Sequence, residues 1–458
     1  MAEKLTSVGL DIGTTSTQMI VSRLRIENRA SEFAVPDLVI ADREILYESP
    51  VHFTPLRSEA LVDGEALRTL LLEEYRHAGL TRETVDTGAV IVTGETSRKE
   101  NAREVAQALS GLAGDFVVAT AGPDLESELA ARGSGAVAYS AETGKTVLHM
   151  DIGGGTANLC LIRGGEIAAT GCLNVGGRLL KLDKLGAVTY VSPVLGGLWG
   201  LSPGSRPSQA DIDALCARLV QALEAAAGLT QADALLRQLT TEGTRPLPLN
   251  APGEEITLSF SGGVADCIAK DFPPDAFGDI GPSLGRAIRE SKLCKPGYRL
   301  GAQTIRATVI GAGCHTTALS GSTVFCRDVA LPLQNLRAVC LSPREQAALP
   351  AHLPEKLRSA EGQAIVALPG LPAPGYAQIC ALAEALLEAV PQGPVLVCLE
   401  EDQAKALGQA MACRTERPIL CIDRVKPPRD SFLDIGPPAG AAYPLVVKTL
   451  VFGKEQQL

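Results

Sequence analysis

Two short stretches of the sequence place an aspartate directly before a turn of glycine and hydroxyl residues. The first is DIGTTS, residues 11–16, and the second is DIGGGT, residues 151–156. Backbone N–H groups in such a turn can bind an anion, because glycine has no Cβ to block its approach. An aspartate beside the anion can hold Mg²⁺ through water, as this ion usually requires near phosphate. The pair therefore predicts a polyphosphate and metal site, with Asp151 facing the metal.

The two turns occupy matching places in two predicted units of three β-strands. Apolar patterns predict strands at residues 5–10, 17–26 and 43–47 around the first turn, and at 146–151, 157–162 and 166–170 around the second. The shared Asp-Ile-Gly entry to both units indicates an internal duplication. If a pseudo-twofold axis relates the units, the two turns face each other across a cleft and clamp one polyphosphate from both sides.

Helices are predicted between and after these units. They cover residues 63–78, 97–109, 124–140 and 280–290, and a helical pair covers 208–239 with capping boxes that begin at Ser208 and Thr230. Further strands are predicted at residues 89–93 and 256–259. Proline-rich connectors beyond about residue 329 separate strand–helix–strand units. The predicted domains are a first lobe (1–145), a second lobe (146–328) with a helical insert at about 205–240, and a C-terminal α/β module (329–458).

The composition of the chain argues against several classes of function. The chain has 458 residues, a net charge of −10 and a pI near 5.2, which argues against nucleic acid or an anionic membrane as the main partner. No apolar run approaches the ~18 residues of a membrane span, and the N-terminus lacks a signal-peptide pattern. The twelve cysteines are scattered without a CxxC pair, which indicates buried thiols in a reducing compartment. We therefore expect a cytoplasmic protein.

Several other motifs are weaker evidence for a phosphate or metal site. Residues 139–146 end like a P-loop but begin with Tyr139 instead of glycine, and the GxGxxA pattern at residues 133–138 lies within a helical pattern, which favours close helix packing. The lone His315 in GAGCHTT could ligate cobalt but is more typical of a structural residue. The Asp-Ile-Gly runs at residues 279–281 and 434–436 are followed by proline, which removes a donor N–H, so we do not expect phosphate loops there. The first of these runs is expected to begin a helix.

With these motifs in view, the chain resembles the actin/Hsp70/sugar-kinase ATPase superfamily. VGLDIGTTS (residues 8–16) is similar to its phosphate-1 motif and VLHMDIGGGT (147–156) to its phosphate-2 motif. ITLSFSGGVAD (256–266) is similar to its adenosine motif, and GCLNVGGRLL (171–180) to an Hsp70 segment whose glycine pair approaches the phosphates. The resemblance implies an α/β fold with a duplicated actin-like, ribonuclease H-like ATPase core, to which the C-terminal α/β module is added.

The resemblance also implies ATP and Mg²⁺ as cofactors and assigns roles to residues. Asp11 and Asp151 are expected to hold Mg²⁺ through water and to position the attacking water. Glu128, on the helix before the second turn, is the candidate for a water-orienting carboxylate, and a solvated helix charge is the alternative reading. The expected nucleotide contacts are Gly13, Thr14, Thr15, Gly153, Gly154, Gly155 and Thr156 for phosphate, Gly176 and Gly177 near the phosphates, and Ser261, Gly262 and Gly263 for adenosine.

Within the superfamily, the chain is more similar to the reactivating factors of ethanolamine ammonia-lyase from ethanolamine-utilising bacteria. TGETSRKENA (93–102), TIRATVIGAGCHTTALSGST (304–323) and FLDIGPPAGAAYPLVVKTLVF (432–452) carry this similarity. It implies an ATP-dependent chaperone that binds lyase carrying damaged adenosylcobalamin and releases the damaged cobalamin, so that intact cofactor can bind.

The expected partner is thus ethanolamine ammonia-lyase, with a homodimer as the expected assembly and a bacterial microcompartment as a place of association in the cytoplasm. Two alternatives share the fold. A small-molecule kinase would need a catalytic base aimed at a substrate hydroxyl, and the sequence shows no persuasive sugar-binding cluster. A non-enzymatic scaffold would bind nucleotide as a structural clip.

Overall fold

The computed structural model describes most of the chain. The described residues are 3–13, 16–30, 38–58, 61–81, 84–92, 118–120, 123–249, 255–295, 297–315, 317–321, 323–360, 362–429, 431–438 and 442–449. The predicted helix at residues 97–109 lies outside them. Among the described helices, none is long and apolar enough to cross a bilayer.

The first lobe is built on a mixed β-sheet. Its elements are β1 (Glu3–Ile12), β2 (Ser16–Asn28), β3 (Leu38–Glu48), β4 (His52–Phe53), β5 (Leu56–Ser58), β6 (Leu61–Val62), α1 (Gly64–His77), β7 (Thr87–Val92) and β8 (Val118–Thr120). The sheet order is β3-β2-β1-β7-β8, with β4 paired to β2. The strands β1, β2 and β3 are antiparallel neighbours, whereas β7 and β8 run parallel to β1. The predicted three-strand unit and the helix capped by Asp63 are both present.

The second lobe repeats this sheet. Its elements are α2 (Pro123–Gly133), α3 (Ala136–Thr143), β9 (Thr146–Ile152), β10 (Ala157–Arg163), β11 (Glu166–Leu173), β12 (Leu180–Leu182), β13 (Val188–Val191), α4 (Pro193–Trp199), α5 (Gln209–Ala226), α6 (Ala234–Leu239), β14 (Ile256–Ser261), α7 (Gly263–Ala269), α8 (Gly281–Glu290), β15 (Tyr298–Leu300) and α9 (Ala307–His315). The order β11-β10-β9-β14-β15 and the strand directions match those of the first lobe. The α/β fold class is confirmed, and α5 with α6 forms the helical insert.

Alternation along the strands decides which side chains face which helix. In β1, Val8, Leu10 and Ile12 pack in one core with α1, and in β9 the residues Leu148 and Met150 pack in the core that includes α5. The intervening positions face the opposite side of each sheet. Asp11 and Asp151 belong to this second set, and it is covered by α9 in the first lobe and by α2 in the second.

The helices α2 and α9 cross between the lobes. Although α2 follows the first sheet, it packs on β9, β10 and β11, and α9, which follows the second sheet, packs on β1, β2 and β7. The crossing is very close, because a Cβ on Gly311 would lie 2.2 Å from the carbonyl oxygen of Leu129. Gly133 likewise abuts the carbonyl of Ala307, which confirms its role in helix packing. The GAGCHTT motif is therefore the end of a tightly packed helix.

A third sheet follows the two lobes. Its elements are β16 (Thr317–Leu319), β17 (Phe325–Arg327), β18 (Leu333–Cys340), α10 (Pro343–Gln346), α11 (Leu349–Ser359), β19 (Ala364–Leu368), α12 (Tyr376–Ala389), β20 (Val395–Leu399), α13 (Ala404–Ala412), β21 (Ile419–Ile422), β22 (Ser431–Ile435) and β23 (Pro444–Thr449). The order is β16-β23-β22-β18-β19-β20-β21-β17, with β18 to β21 parallel. The chain therefore enters the third sheet at Thr317, which is earlier in the sequence than the predicted domain boundary between residues 328 and 329.

Two local predictions were wrong. The helix predicted at residues 124–140 is two helices, because Gly135 adopts a positive φ of 81° and ends the hydrogen-bonded run. The second capping box does not begin at Thr230: the N-cap of α6 is Asp233, whose carboxylate accepts a hydrogen bond from the N–H of Leu236 at 3.0 Å. The capping box at Ser208 is confirmed at the start of α5.

Candidate nucleotide site

The first aspartate–glycine turn joins β1 to β2. The N–H of Gly13 donates to the carbonyl of Ser16 at 2.9 Å, and the carbonyl of Gly13 accepts from the hydroxyl of Thr54 at 2.7 Å. These bonds fix both ends of the turn to the first lobe. Asp11 lies at the end of β1, partly buried and directly opposite Gln18. Thr14 and Thr15 lie outside the described residues, so their contacts with phosphate remain a prediction.

The second turn joins β9 to β10 and rests on the segment that contains Gly176 and Gly177. The N–H of Gly153 donates to the carbonyl of Thr156 at 2.9 Å, and Gly153 in turn accepts from the N–H of Gly177 at 3.0 Å. A Cβ on Gly176 would lie 2.3 Å from the carbonyl oxygen of Gly154. This segment therefore uses the carbonyl of Gly153, and phosphate binding at the turn stays a prediction. The space around the exposed Gly155 is open.

The predicted adenosine segment lies against the second turn. Ser261 ends β14 and is paired with Asp151, while Gly262 has a φ of +85° and begins the approach to α7. A Cβ on Gly262 would lie 2.4 Å from the carbonyl oxygen of Ile152, so only glycine fits between the two strand ends. The structure therefore brings Ser261, Gly262 and Gly263 beside the turn, although they follow it by about a hundred residues.

Asp151 is a buried carboxylate with two hydroxyl donors. It accepts a short hydrogen bond from the hydroxyl of Ser261 and a further bond from the side chain of Thr308, on α9. Burial raises the pKa of Asp151 to about 6, and the two hydroxyl bonds act in the opposite direction. A carboxylate in such surroundings is stabilised by a nearby cation. This chemistry fits Mg²⁺.

His149 supports this arrangement from the middle of β9. Its Nε2 atom lies 2.9 Å from the hydroxyl of Ser261 and its Nδ1 atom 3.1 Å from that of Ser259. Burial lowers the pKa of His149 to about 3, so the ring is neutral and holds the Ser261 hydroxyl towards Asp151. His149 is not among the site residues predicted from the sequence. Its place two residues before Asp151, hence on the same face of the strand, was the available signal.

Glu128 lies along α2. Burial raises its pKa, Arg132 lowers it and Asp124 raises it. Burial raises the pKa of the Cys160 thiol on β10, and the negative charge of Glu128 raises it further. Among the described residues, the hydrogen bonds to Asp151 come from Ser261 and Thr308 and not from Glu128. Its role in orienting water stays a prediction.

The start of α9 connects the two halves of the site. The side-chain amide of Gln18 donates to the carbonyl of Ile305 at 3.3 Å, just before α9, and Thr308 in the first turn of α9 donates to Asp151. The sequence predicted no role for this helix start. The run Asp279-Ile280-Gly281, by contrast, leads into α8 as predicted, and the Oδ1 of Asp279 accepts from the N–H of Gly281 at 2.8 Å.

The carboxylates of the site are too few for direct ligation by protein alone. Within the described part of the chain, no three histidine, cysteine or carboxylate side chains form a group that could hold a metal ion. Asp11 and Asp151, each beside a glycine turn, could hold a hydrated Mg²⁺ ion through its water ligands, and this role stays a prediction.

Comparisons with known proteins identify close relatives. The family model described as "Ethanolamine utilisation protein EutA" matches residues 3–453. Two relatives, from Salmonella typhimurium and Escherichia coli K12, are both named "Ethanolamine ammonia-lyase reactivase EutA". Each is 39% identical to this chain and covers 98% of it, and the match spans 99% of each relative. Among solved structures, a Ppx/GppA family member from Aquifex aeolicus is similar over 58% of this chain and 69% of its own, at 15% identity and a TM-score of 0.36.

Proposed function

The chain belongs to the EutA family of ethanolamine utilisation proteins, and on this basis we propose that it is an ATP-dependent reactivating chaperone of ethanolamine ammonia-lyase. It binds lyase that carries damaged adenosylcobalamin, releases the damaged cobalamin, and so lets intact cofactor rebind. Both relatives that match almost the whole chain carry the reactivase name, which supports the partner and the task.

The observation that carries the ATP dependence is the convergence of three segments from distant parts of the sequence. The turn after Asp151, the Gly176–Gly177 pair and the Ser261–Gly263 segment lie in contact, and the last two meet the turn where a Cβ would not fit. Packing of this kind leaves backbone surface open to a ligand. A purine nucleotide matches it, with phosphate on the turn and adenosine on the Gly262–Gly263 backbone.

In this proposal the side chains of the site have separate tasks. Asp11 and Asp151 would hold the hydrated metal, and Asp151 would also orient the attacking water. Bound Mg²⁺ supplies positive charge against the charge that develops on the phosphoryl group. Ser261 and His149 hold Asp151 in place, and Glu128 is the candidate for a second water-orienting carboxylate.

The lobes would alternate between two arrangements as nucleotide changes. ATP with its metal contacts both turns, so it favours the arrangement in which they are close, and hydrolysis removes part of that preference. The start of α9 is bonded to Gln18 of the first lobe and to Asp151 of the second, so it would move with both. This alternation would change how tightly the protein binds the lyase. A homodimer in the cytoplasm, associated with a microcompartment, is the assembly we propose.

Cobalamin release tests the proposal directly. Ethanolamine ammonia-lyase is inactivated with a cobalamin that lacks the adenosyl group, this protein is added with Mg²⁺ and either ATP or no nucleotide, and free cobalamin is separated from bound. We expect release with ATP only. Release that is equal with and without ATP would contradict the ATP dependence, and no release in either case would contradict the reactivating function.

A further inference from the structure

Two buried amide side chains lie directly beside the two aspartates. Gln18 is the cross-strand partner of Asp11 in the β1–β2 ladder, and Asn158 is the partner of Asp151 in the β9–β10 ladder. Directly opposed residues of an antiparallel pair point to the same face, with their Cβ atoms about 4.5–5.5 Å apart. Each lobe therefore presents the same combination of a carboxylate and a neighbouring amide.

Both amides have an unsatisfied oxygen. Gln18 is 3% exposed and Asn158 is 2% exposed, yet neither Oε1 of Gln18 nor Oδ1 of Asn158 has a hydrogen-bond partner in the chain as described. A buried acceptor without a partner is costly to a folded protein and rare in native structures. Two of them at equivalent positions, each beside an aspartate of the nucleotide site, indicate a donor that is bound during function.

The orientation of Gln18 is set by its other amide atom. Its Nε2 donates to the carbonyl of Ile305 at 3.3 Å, so the amide nitrogen is turned towards the start of α9. The oxygen then faces away from this carbonyl, and the side chains of Gln18 and Asp11 project from the same face of the sheet. An amide oxygen adds two acceptor lone pairs without adding negative charge.

We infer that the side-chain oxygens of Gln18 and Asn158 accept hydrogen bonds from the water ligands of the Mg²⁺ ion that Asp11 and Asp151 hold. This inference rests on the proposed function, since it deepens the description of the same site. Gln18 and Asn158 are positioning residues: they fix the orientation of metal-bound water and do not contact phosphate. Through Ile305, Gln18 also connects the metal shell to α9.

The test measures nucleotide binding with and without metal, and not turnover. A fluorescent methylanthraniloyl-ADP is titrated into the full-length protein in Mg²⁺ and in EDTA, and the ratio of the two dissociation constants gives the metal enhancement. The variants are Gln18→Met and Asn158→Leu, which keep the volume and remove the acceptor; Gln18→Met also removes the hydrogen bond to the carbonyl of Ile305. We expect each to lower the enhancement about fivefold, as the loss of one hydrogen bond predicts. In Asn158→Leu, binding in EDTA should stay unchanged and the thermal midpoint without nucleotide should not fall; in Gln18→Met the metal enhancement is the readout, since loss of the bond to Ile305 lowers the midpoint by itself.

Ser7→Ala is the matched control. The hydroxyl of Ser7 is also buried and without a partner among the described residues, but it lies four residues before Asp11, about 13 Å along the same strand. Removal of this oxygen should leave the metal enhancement as in the wild type.

The outcomes separate the inference from the function on which it rests. An unchanged enhancement in both variants would overturn the inference and leave the proposed function standing. In Asn158→Leu, a fall in the thermal midpoint together with weaker binding in EDTA would assign a merely structural role to the amide and also overturn the inference. A wild type without metal-enhanced nucleotide binding would contradict both the ATP dependence and the inference.

Discussion

The two aspartates of the site lie in different surroundings although their local sequences match. Asp151 is buried and bonded to Ser261 and Thr308, whereas Asp11 is only partly buried. The low exposure of Asp151 strengthens its interaction with any cation, because the local dielectric is lower there than in water. We therefore expect the chemistry to depend more on Asp151.

Asp151→Asn tests this expectation. The amide keeps the size and can still contact Ser261, but it removes the negative charge that we propose holds the hydrated metal. We expect ATP hydrolysis to fall at least a hundredfold, roughly 3 kcal/mol in the activation barrier, while the affinity for ADP in EDTA changes less than about threefold. Turnover in the presence of Mg²⁺ and direct nucleotide titration provide the two readouts. Wild-type turnover in this variant would remove Asp151 from the mechanism.

The glycine at position 176 is a second residue whose replacement has a defined consequence. A Cβ there would lie 2.3 Å from the carbonyl oxygen of Gly154, so Gly176→Ala must displace the second turn. We expect nucleotide affinity to fall about tenfold or more. Gly297→Ala is the control, since a Cβ at Gly297 would meet nothing within 4 Å. Equal affinity in both variants would show that the turn does not bind phosphate.

Asp423, which lies outside the candidate nucleotide site, makes the stability of the protein depend on pH in a predictable way. Burial raises the pKa of Asp423 to about 6, the hydroxyl of Thr323 lowers it, and the nearby charge of Asp402 raises it. Because the unfolded carboxyl titrates near 3.8, the folded protein binds more protons between about pH 4 and pH 6. Its stability through this group therefore decreases as pH rises across that window.

Asp423→Asn should remove this contribution. We expect the free energy of unfolding of the wild type, relative to that of the variant, to decrease between pH 4 and pH 6 and to stay level above pH 7. Urea unfolding of both proteins at several pH values measures the difference, so that other titrating groups cancel. Parallel pH curves would contradict the raised pKa.

At the scale of elements, the crossing of α2 and α9 is the feature that joins the lobes. The helix α2 follows the first sheet but packs on the second, and α9 follows the second sheet but packs on the first. Gly311 allows their backbones to touch near Leu129. Because the start of α9 also contacts Asp151 and Gln18, the crossing is mechanically connected to the nucleotide site. A change in the distance between the helices should therefore affect both stability and nucleotide binding.

Gly311→Ala tests the crossing. Its methyl group would lie 2.2 Å from the carbonyl oxygen of Leu129, so the helices must separate. We expect a loss of about 1–3 kcal/mol in the free energy of unfolding, as for other overpacked sites. Gly197→Ala, on α4, meets no atom within 4 Å and should be neutral or stabilising, since alanine favours helix. Chemical denaturation compares the two, and equal midpoints would show that the crossing tolerates a wider spacing.

At the scale of the whole molecule, the third sheet is attached to the first lobe. Leu319 of β16 packs on the cluster of Leu5, Leu24 and Ile26, and the hydroxyl of Thr317 lies 2.9 Å from that of Thr87. The residues that make these contacts, Thr317 and Leu319, lie just after α9 in the sequence. In the proposed mechanism, movement of α9 with nucleotide would therefore reach the C-terminal module through β16.

Leu319→Asp should weaken this attachment. A carboxylate against three apolar side chains is unfavourable, so we expect a loss of about 1–3 kcal/mol and a broader thermal transition, as the module unfolds less cooperatively with the lobe. Leu185→Asp is the control, because Leu185 is 76% exposed. Differential scanning calorimetry distinguishes them. A transition of wild-type width and midpoint in Leu319→Asp would contradict an energetic coupling between the module and the first lobe.

The sequence by itself determined the local features of this protein. The strands around Asp11 and Asp151, the glycine turns, the N-caps Asp63 and Ser208 and the helical insert all depend on backbone preferences within a few residues, and such preferences are visible in a short stretch of sequence. The α/β class and the repeated strand units followed from the same local patterns.

Only the tertiary structure decided which distant residues meet. Ser261 bonds to Asp151 across 110 positions, and Gln18 bonds to Ile305 across 287. The membership of β16 and β17 in the third sheet depends on pairing with β23 and β21, far along the chain. These contacts arise because burial of the two sheet faces fixes the positions of α2 and α9, and no short-range pattern specifies which helix covers which sheet.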